Sequence, residues 1–451
     1  MLKLSVIGAG YLGAVHAAAM ASLGFDVVAV DVDDARIASL AAGAAPFFEP
    51  GFDDLLAEVM PTGRLTWTTD YSQLADVDVH FLCVGTPQHR GAKGADLTYV
   101  WAAVAALLPW AKSGSVIAGK STVPVGTAAQ IAERLAAEWP DAAPDHREGE
   151  VPAVVWNPEF LREGYAVNDT LRPDRIVIGV PPEAAPAAHA ETVMREVYAT
   201  QIAAEIPFLV TDLATAELVK VAANAFLATK ISFINAMAEV CEATGADVVQ
   251  LADAIGYDAR IGRKFLGAGI GFGGGCLPKD IRAFSARAGE IGVDQALTFL
   301  REVDDINTRR RYRAVETARN LLGGSFRGQR VCVLGAAFKP NSDDVRDSPA
   351  LDIAARIHNE GGRVVVHDPK ALANAEARYP AITYDPDLAH ALAGADIVLV
   401  LTEWQEYRDL DPHATALAVA APRVLDGRNT LDAAAWRAAG WTFRGMGREH
   451  G

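Results

Sequence analysis

A single cysteine, Cys276, lies behind a run of glycines in "GFGGGCLPKD", residues 271–280, and a lysine and an aspartate follow it within four residues. Glycines let the backbone approach a ligand closely and leave the thiol reachable. A thiol with an ordinary pKa of about 8.5 is only partly ionised at neutral pH, and a nearby cation increases the thiolate fraction. Lys279 or Lys220 could supply that cation, and Asp280 could orient water or accept a proton. The segment therefore predicts a nucleophilic thiol, with a buried cysteine after a flexible loop as the alternative.

The other cysteines have surroundings that packing explains. Cys83 in "HFLCVG" and Cys332 in "RVCVLG" fall in apolar runs that are typical of buried strands, and Cys241 falls in a helical stretch. None of them forms a close Cys-x-x-Cys pair suited to zinc, and four cysteines in a chain of this length do not suggest a disulfide framework. We therefore expect packing cysteines, no metal site and a reducing compartment.

A glycine fingerprint opens the chain. Gly8, Gly10 and Gly13 form G-x-G-x-x-G between an apparent strand and a helix, and Asp31 ends the next apolar run. In such a unit the first glycine permits the tight turn, the second lets the backbone approach a pyrophosphate, and the third brings helix and strand together, while the carboxylate accepts from ribose hydroxyls. The pattern predicts a dinucleotide site, and Asp31 favours NAD because a carboxylate repels a 2′-phosphate.

Three further side chains lie where a ligand of this sheet would be. Arg36 follows Asp31 by five residues and could stack on adenine or meet a ribose phosphate, or it could be a solvated helix residue. Thr86 and Thr122 follow later apolar strands, "VDVHFLCVGTP" and "GSVIAGKSTVPVGT". Since ligands of a doubly wound sheet lie outside the carboxyl ends of its strands, we place both threonines near the cofactor or substrate; helix capping is the alternative.

A long helix is predicted in "TDLATAELVKVAANAFLATKISFINAMAEVCEATG", with a possible N-cap at Asp212 and a stop at Gly245. Its apolar surface exceeds what one face needs, so it could connect two domains and form a dimer surface. Lys220 and Asn224 are four residues apart and share a face, where an ammonium and an amide could stabilise an oxyanion. Spacing alone leaves a surface lysine beside a satisfied asparagine as the alternative.

Bulk properties limit the function classes. The chain has 451 residues, of which 51% are hydrophobic, so two or three domains are expected. A formal charge of -16 disfavours nucleic acid as a partner, and we interpret the basic run "TRRRYR" at 308–313 as a solvated or ion-paired helix face. No apolar run approaches the roughly 18 residues of a membrane span, and no signal pattern is recognisable, which predicts a cytoplasmic location without a membrane partner.

A second strand-turn-helix-strand unit begins at "GQRVCVLGAAF" and loosely repeats the first, with "GAAF" in place of the fingerprint. We expect this domain to be α/β without holding a dinucleotide in the same way, and the strands in "ADIVLVLTEW" and "RVLDGRN" complete it. The tail "FRGMGREHG", residues 443–451, is expected to be mobile. The segment at 137–150 reads as a polar loop.

Taken together, these segments resemble one family over nearly the whole chain. The motifs are "GAGYLG", "CVGTP", "STVPVGT", "NPEFLREG", "PDRIVIG", "ELVKVAANAFLATKISFIN", "GFGGGCLPKD", "FKPNSDDVRDSP" and "LDGRN". In this order they look like the UDP-glucose 6-dehydrogenase branch of the UDP-glucose/GDP-mannose dehydrogenase family. The resemblance implies an α/β fold of two Rossmann-like doubly wound domains joined by a central helical segment with a long helix. The implied domains are 1–206 for NAD, 207–312 for dimerisation and 313–451 for the UDP-sugar.

The resemblance also implies an activity. The family oxidises the C6 alcohol of UDP-glucose to UDP-glucuronate with two NAD. By similarity Cys276 captures the aldehyde as a thiohemiacetal, a second hydride transfer gives a thioester, and water releases the acid. Lys220 and Asn224 would stabilise charge on oxygen, Asp280 would help to activate water, and Glu159 would transfer protons with Thr122 through water.

Further positions match family contacts to the two ligands. The cofactor set consists of Gly8, Gly10, Tyr11, Leu12, Gly13, Asp31, Arg36, Thr86, Thr122, Glu163, Lys279 and Arg346. The substrate set consists of Phe160, Leu161, Lys220, Asn224, Arg260, Phe272, Gly273, Phe338, Lys339 and Arg428. The resemblance implies a homodimer in which Arg260 reaches the partner's site. Cations at Lys339 and Arg428 suit a diphosphate.

Two departures bear on the choice of sugar: Trp156 stands where the family usually has a small residue, and Leu277 where an aromatic is common. A sister enzyme for GDP-mannose or a UDP-N-acetylhexosamine is therefore the nearest alternative. A two-electron β-hydroxyacid dehydrogenase shares the N-terminal pattern but has no need of Cys276 or of a third domain. A catalytically silent nucleotide-sugar binding protein would bind ligand without producing NADH.

Overall fold

The computed structural model describes residues 2–89, 91–146 and 148–448, which form two compact units that divide after Ala223. The fold is mixed α/β, as expected, because each unit contains a largely parallel sheet with helical connections. Within the described residues the first sheet has eight strands in the order β3-β2-β1-β4-β5-β6-β7-β8, and β6 and β7 alone pair antiparallel. The second has six, in the order β11-β10-β9-β12-β13-β14.

The elements of the first unit alternate between strand and helix. Its strands are β1 (Lys3–Ile7), β2 (Asp26–Val30), β3 (Leu65–Thr68), β4 (Val79–Leu82), β5 (Val116–Gly119), β6 (Ala153–Trp156), β7 (Ile176–Val180) and β8 (Phe208–Asp212). Its helices are α1 (Tyr11–Ser22), α2 (Asp34–Ala41), α3 (Phe52–Val59), α4 (Thr98–Leu107), α5 (Thr127–Ala142), α6 (Ala166–Leu171), α7 (Ala184–Val197) and α8 (Ala199–Ala203). Short 3₁₀ turns lie at Met60–Thr62, Tyr71–Leu74 and Pro144–His146.

One long helix, α9 (Leu213–Thr244), contains the unit boundary. The second unit continues with α10 (Val248–Gly256), α11 (Leu277–Glu290), a 3₁₀ turn (Asp294–Leu297) and α12 (Phe299–Leu321). Its strands are β9 (Arg330–Leu334), β10 (Arg363–His367), β11 (Thr383–Tyr384), β12 (Ile397–Val400), β13 (Arg423–Asp426) and β14 (Thr442–Gly445). Its remaining helices are α13 (Pro349–Asn359), α14 (Leu372–Arg378), α15 (Leu388–Leu392), α16 (Gln405–Arg408), α17 (Pro412–Ala418) and α18 (Ala433–Ala438).

The central strands are short runs of apolar residues because both faces of a covered parallel sheet are buried. Strand β4 is buried along its whole length, and β1 and β9 are buried at every residue but the first. Helix α1 is rich in alanine and is buried from Gly13 to Ala21, so small side chains let it lie close to the sheet. This close approach fixes the turn between β1 and α1, where the fingerprint lies.

The predicted ends of α9 are confirmed. Asp212 precedes the helix, and its carboxylate accepts a hydrogen bond from the Thr215 amide (2.8 Å), while Gly245 follows the last helical residue with a φ of 75°. By length and composition this helix could also cross a membrane, but 44% of its most apolar 18-residue window is buried within the protein. The helix thus contains a longer apolar stretch than the sequence pattern predicted.

Two local predictions were wrong. Residues 137–142 of the predicted polar loop belong to α5, because Trp139 is fully buried and donates its indole N–H to the Ala111 carbonyl (2.7 Å). The tail is ordered from 443 to 448: 443–445 lie in β14, Met446 is buried, and the Gly447 amide donates to Glu242 (3.0 Å). Residues 449–451 of that tail lie outside the described residues.

The basic run is ion-paired, as interpreted. In helix α12, Arg309 contacts Glu239 at 3.1 Å, and the buried Arg310 lies 3.4 Å from Glu242 and donates to the Gly269 carbonyl. The three packing cysteines are buried, also as expected, and burial raises the pKa of Cys83 and of Cys332 to about 12.

Candidate active site

The glycine fingerprint forms the turn between β1 and α1. Gly8 has a φ of 96°, which favours glycine, and a Cβ at Gly13 would collide with the Gly8 carbonyl. A Cβ at Gly10, by contrast, would meet no described protein atom within 4 Å. Gly8 and Gly13 are thus explained by protein packing, whereas the space beside Gly10 fits an approaching ligand. No described side chain caps the start of α1, so its first N–H groups suit an anion such as a pyrophosphate.

Asp31 closes this turn from the end of β2. It is 7% exposed, and its Oδ2 accepts a hydrogen bond from the Ala9 amide at 2.6 Å. The guanidinium of Arg36 donates to both oxygens of Asp31, at 3.1 and 3.0 Å, and lies 3.4 Å from Asp33. Asp31 therefore holds the glycine turn in place, and Arg36 is engaged by carboxylates in this structure.

The segment "NPEFLREG" contacts the start of α1. The hydroxyl of Tyr11 accepts a hydrogen bond from the Gly164 amide (2.9 Å), and Glu49 accepts from the Gly164 and Ala166 amides (2.6 and 2.7 Å). Glu163, beside Gly164, is 8% exposed. The structure thus brings Tyr11 and Glu163 to one region through Glu49, a residue that sequence reasoning missed because it lies far away in the chain.

Lys220 and Glu159 form a largely buried ion pair. The ammonium lies 2.8 Å from Oε1 of Glu159, with side-chain exposures of 8% and 13%. The ammonium also lies 5.9 Å from the centre of the Phe160 ring, and the Leu161 amide donates to Oε2 of Glu159. The Thr86 hydroxyl donates to the Thr122 carbonyl (2.7 Å), which ties the ends of two neighbouring strands together.

A buried lysine beneath Glu159 was also missed. Lys120 is 6% exposed and donates to Oδ1 of Asn157 (3.0 Å), which accepts a second hydrogen bond from Tyr198 (2.6 Å). These residues line a cavity of about 40 Å³ together with Leu12, Glu159, Phe160 and Leu161. The cavity can hold water, because it exceeds the roughly 15 Å³ that one molecule needs. A lysine inside the apolar run "VIAGKSTVP" was the available signal.

Trp156 does not line this cavity. The indole is 1% exposed and packs on Gly119, its neighbour across the sheet, where a Cβ would collide with the ring. The large residue is therefore accommodated in the core by a glycine opposite it.

In the second unit, Cys276 precedes the first residue of α11 and is exposed. The positive end of a helix dipole stabilises a negative charge at this position. Asp280 in the first turn of the helix is 2% exposed; its Oδ2 accepts from the Asn224 amide group (2.7 Å), and its Oδ1 lies 2.7 Å from the Lys279 ammonium. The structure thus brings Asn224 of α9 into one cluster with Lys279 and Asp280, which lie in the first turn of the helix that follows Cys276.

Protein contacts account for two of the glycines before Cys276. A Cβ at Gly273 would collide with the Asp347 carbonyl, and one at Gly274 would lie 2.7 Å from the Phe338 ring. A Cβ at Gly275 would meet only the guanidinium of Arg346, an exposed side chain that can move aside. From the sequence we predicted that this run lets a ligand approach, and this stays a prediction. Close packing against the loop 336–348 is a second reason for glycine at 273 and 274, and the exposed thiol is as expected.

Asn307 of α12 holds the same segment. Its side-chain amide accepts a hydrogen bond from the Phe272 amide (2.7 Å) and donates one to the Phe272 carbonyl (3.0 Å). Both backbone polar groups of Phe272 are therefore hydrogen-bonded, as they would be in a sheet. Arg428 donates to the carbonyls of Leu401 (2.9 Å) and Gly271 (2.8 Å). Much of the hydrogen-bonding capacity of Arg428 is therefore used within the protein. The sequence did not reveal that Arg428 binds these backbone carbonyls.

The remaining candidates are closer to solvent. The Lys339 ammonium lies 5.2 Å from the centre of the Phe338 ring, and Arg346 pairs with Asp344 at 2.7 Å. The side chain of Arg260 is 90% exposed and pairs with Asp258 (2.6 Å). Leu277 packs beside a small buried cluster that includes Phe272. Among the described residues, no group of three or more histidine, cysteine or acidic side chains could hold a metal ion.

Asp368 occupies the position in the second unit that Asp31 has in the first. Gly335 has a φ of 112°, and the Ala336 amide donates to Asp368 at 2.7 Å. Asp368 also accepts from the amides of Ala337, Lys370 and Ala371 and from the Trp404 indole, and it is 3% exposed. The chain then takes the loop 336–348 before α13 begins. This carboxylate is saturated, so the repeat does not offer a ribose site like that of Asp31.

Comparison with known proteins identifies the architecture. Three family models match: the NAD binding domain of the UDP-glucose/GDP-mannose dehydrogenase family at residues 2–202, its central domain at 214–309 and its UDP binding domain at 332–433. The UDP-glucose 6-dehydrogenase of Rhizobium meliloti (strain 1021) is 40% identical over 448 residues, which cover 99% of this chain and 100% of that protein. UDP-glucose 6-dehydrogenase TuaD of Bacillus subtilis (strain 168) is 40% identical over 450 residues, covering 99% and 94%.

Solved structures agree. A UDP-glucose dehydrogenase from Pyrobaculum islandicum has a TM-score of 0.88 at 37% identity and covers 100% of this chain and 98% of its own. A UDP-D-ManNAc dehydrogenase from Pyrococcus horikoshii has a TM-score of 0.84 at 26% identity, covering 99% of each chain. With an NAD-binding unit, an exposed cysteine at a helix start and relatives of this similarity over the full length, the chain belongs to the UDP-glucose/GDP-mannose dehydrogenase family.

Proposed function

We propose that the protein is an NAD-dependent UDP-glucose 6-dehydrogenase that converts UDP-glucose to UDP-glucuronate in two successive oxidations. The observation that carries the proposal is the exposed Cys276 at the start of α11, in the helix whose first turn holds the buried Asp280 cluster. A two-electron alcohol oxidation needs no thiol. A four-electron oxidation can use one, because a covalent thiohemiacetal retains the aldehyde until the second oxidation.

The residues have separable roles in this scheme. The thiolate of Cys276 adds to the aldehyde carbon to give a thiohemiacetal, and loss of hydride then leaves a thioester. Water attacks the thioester carbonyl, the carbon–sulfur bond breaks, and the thiolate is restored. Asp280 accepts a proton from that water, while Lys220 and Asn224 donate to the oxygen that carries negative charge. Glu159 exchanges protons with Thr122 through water.

The cofactor fits the first unit. NAD, when bound, accepts the hydride in each oxidation. Gly10 would let the pyrophosphate approach the start of α1, Gly8 and Gly13 would shape the turn beneath it, and Asp31 would meet the ribose. The proposed cofactor set is completed by Tyr11, Leu12, Arg36, Thr86, Thr122, Glu163, Lys279 and Arg346. Phe160, Leu161, Phe272, Gly273, Phe338, Lys339 and Arg428 complete the proposed sugar-nucleotide set, and the proposed domains are 1–206, 207–312 and 313–451.

Measurement of NADH at 340 nm with limiting UDP-glucose and excess NAD tests this function. We expect two NADH per UDP-glucuronate and no turnover by Cys276→Ala, with Cys241→Ala as the control that keeps the activity. One NADH per sugar consumed would contradict the proposal. GDP-mannose and a UDP-N-acetylhexosamine belong in the same assay, because a structure similar at a TM-score of 0.84 is a UDP-D-ManNAc dehydrogenase; a higher kcat/KM with either would favour a sister activity.

We also propose a cytoplasmic homodimer. Phe226, Phe233 and Val240 recur every seven residues along α9 and are 67%, 48% and 52% exposed, a stripe that a second copy of the helix would cover. In this dimer the exposed Arg260 reaches the partner's site. Light scattering after chromatography should show a dimer for the parent and a monomer for Phe226→Glu/Phe233→Glu, while the control Leu417→Glu, at a site that is 90% exposed, stays dimeric. A monomeric parent would overturn the proposal.

A further inference from the structure

Asp347 has an unusual backbone conformation for its position. It lies in the loop 336–348, immediately before the N-cap residue of α13, with a φ of 46°. This left-handed region is sparsely occupied by residues other than glycine, although aspartate and asparagine tolerate it best. Such a conformation persists when surrounding contacts fix it, and it is found preferentially at functional sites.

Two arginines from different helices hold the Asp347 carboxylate. Arg311 of α12 contacts Oδ1 at 2.9 Å, and Arg282 of α11 contacts Oδ2 at 3.4 Å. Each arginine has a second acidic partner: Arg282 pairs with Asp304 at 2.9 Å, and Arg311 lies 3.5 Å from Asp352. Arg311 is mostly buried, so its contact with Asp347 is shielded from solvent.

The backbone beside Asp347 contacts the glycine run directly. The Gly274 amide donates to the Arg346 carbonyl at 2.9 Å, and the Asp347 carbonyl occupies the space that a side chain at Gly273 would need. Arg311 further donates to the Phe272 and Asp347 carbonyls, both at 3.4 Å. Cys276 follows only two residues after Gly274. The segment that presents the thiol is therefore fixed against Asp347, which both α11 and α12 hold through ion pairs.

We infer that Asp347 is a positioning residue for the second oxidation: its ion pairs with Arg282 and Arg311 hold the loop 336–348 against the glycine run and so set the position of Cys276. The expected effect of Asp347 on catalysis rests on the proposed function. The coupling between Asp347 and the position of the Cys276 thiol does not depend on which substrate the protein uses.

The test compares Asp347→Ala with Asp347→Asn and with the control Asp253→Ala, which removes an exposed ion-paired carboxylate elsewhere in the same unit. A displaced thiol captures less aldehyde, so sugar leaves after one oxidation. We expect Asp347→Ala to raise the NADH formed per UDP-glucuronate above two and to release aldehyde that a hydrazine reagent traps. Asp347→Asn, which keeps the tolerated backbone and one acceptor, should lie between it and the parent. The control should stay at two.

This ratio is independent of how much of the variant is folded, so a purely structural role would leave it at two. The alkylation rate of Cys276 by iodoacetamide, measured by mass spectrometry, should change at least threefold in Asp347→Ala. A ratio of two together with an unchanged alkylation rate would overturn the inference. If Asp347→Ala does not fold, the NADH ratio and the alkylation rate of Asp347→Asn test the inference instead. A parent that makes no UDP-glucuronate would contradict the proposed function alone, and the alkylation rates would still test the coupling.

Discussion

The ammonium of Lys220 lies 2.8 Å from a carboxylate oxygen of Glu159, and both side chains are largely buried. The pair couples two proposed roles. The positive charge of Lys220, which would stabilise an alkoxide, is partly balanced by Glu159, which would take part in proton exchange. Removal of one partner leaves the other charge buried without its counter-ion, at a cost of about 3–5 kcal/mol when burial is complete.

A double-mutant cycle on this pair separates stability from catalysis. We expect Lys220→Met and Glu159→Gln each to lower the free energy of unfolding by about 1–3 kcal/mol, which is less than a fully buried pair would cost. The double variant should regain part of that loss while kcat stays reduced by about 100-fold or more, since the pair would act in the reaction. Urea unfolding and NADH formation measure the two quantities. Additive stability losses would show that the contact carries no coupling.

The proposed role of Asp280 in thioester hydrolysis can be tested by looking for the covalent intermediate on Cys276. The two carboxylate oxygens face the Asn224 amide group and the Lys279 ammonium, so an amide at this position must turn its NH2 group toward one of these donors and could accept no proton from water. We expect Asp280→Asn to lose at least about 100-fold in kcat and to accumulate a covalent adduct on Cys276, because hydrolysis of the thioester is impaired.

Intact-protein mass spectrometry after mixing with UDP-glucose and NAD would detect that adduct. The exposed Asp294→Asn is the matched control and should show neither effect. A slow Asp280→Asn variant without adduct would place its defect before the thioester.

The fingerprint glycines should separate binding from folding. Gly10→Ala adds a methyl group where no described protein atom lies within 4 Å, so the free energy of unfolding should stay within about 0.5 kcal/mol of the parent. Its Kd for NAD should rise at least tenfold, since the methyl group would meet the pyrophosphate. Gly13→Ala should destabilise the fold by about 1–3 kcal/mol or more, because the new atom collides with the Gly8 carbonyl. Calorimetric titration and urea unfolding test both; equal destabilisation by the two variants would contradict the assignment.

His80 predicts an acid-sensitive fold. Its ring contacts the Ser5 hydroxyl at 2.9 Å, and burial lowers its pKa to about 3. The unfolded chain binds this proton near pH 6.5, so the contribution of His80 is complete above that pH and is lost as the pH falls toward 3. Between pH 7 and pH 5 the loss is about 2 kcal/mol. Asp426 has the opposite effect on stability. Burial raises the pKa of Asp426 to about 6, so protonation of this carboxyl stabilises the fold as the pH falls from about 6 to 4.

His80→Asn should therefore show a smaller drop in the free energy of unfolding between pH 7 and pH 5 than the parent shows. The exposed His413→Asn should match the parent. Urea titrations at the two pH values provide the comparison. Equal drops in all three proteins would mean that His80 is protonated in the folded state.

The sequence predicted those features that local patterns determine. The turn at Gly8 and both ends of α9 follow from residues close in the chain, and the structure has them as expected, while the ribose contact of Asp31 stays a prediction. The tail was predicted to be mobile because termini usually are, and the contact of Gly447 with Glu242 joins residues 205 positions apart. The helical continuation to Ala142 was missed because proline and acidic residues suggested a loop, whereas burial of Trp139 decides the conformation.

The candidate site shows the same limit. Cys276, Lys220 and Asp280 carry chemistry that can be recognised from their types and spacing. Asn307 and Asp347 carry none that is recognisable in the sequence, because their roles arise only when α12 and the loop 336–348 come against the glycine run. Spacing could not show that Gly273 and Gly274 also make room for the protein's own loop 336–348.

The saturated Asp368 limits how this architecture can change by mutation. Glycines introduced at 337 and 340, together with Gly335, would restore the spacing of the glycine fingerprint in the second strand-turn-helix unit, but they would not make it a cofactor site. Four backbone amides and an indole already occupy that carboxylate, and the helix that should begin at the turn starts only at Pro349. To bind a second dinucleotide, the second unit would have to lose the loop 336–348, which fixes the segment that presents Cys276. Single mutations are therefore not expected to turn the second unit into a cofactor-binding unit.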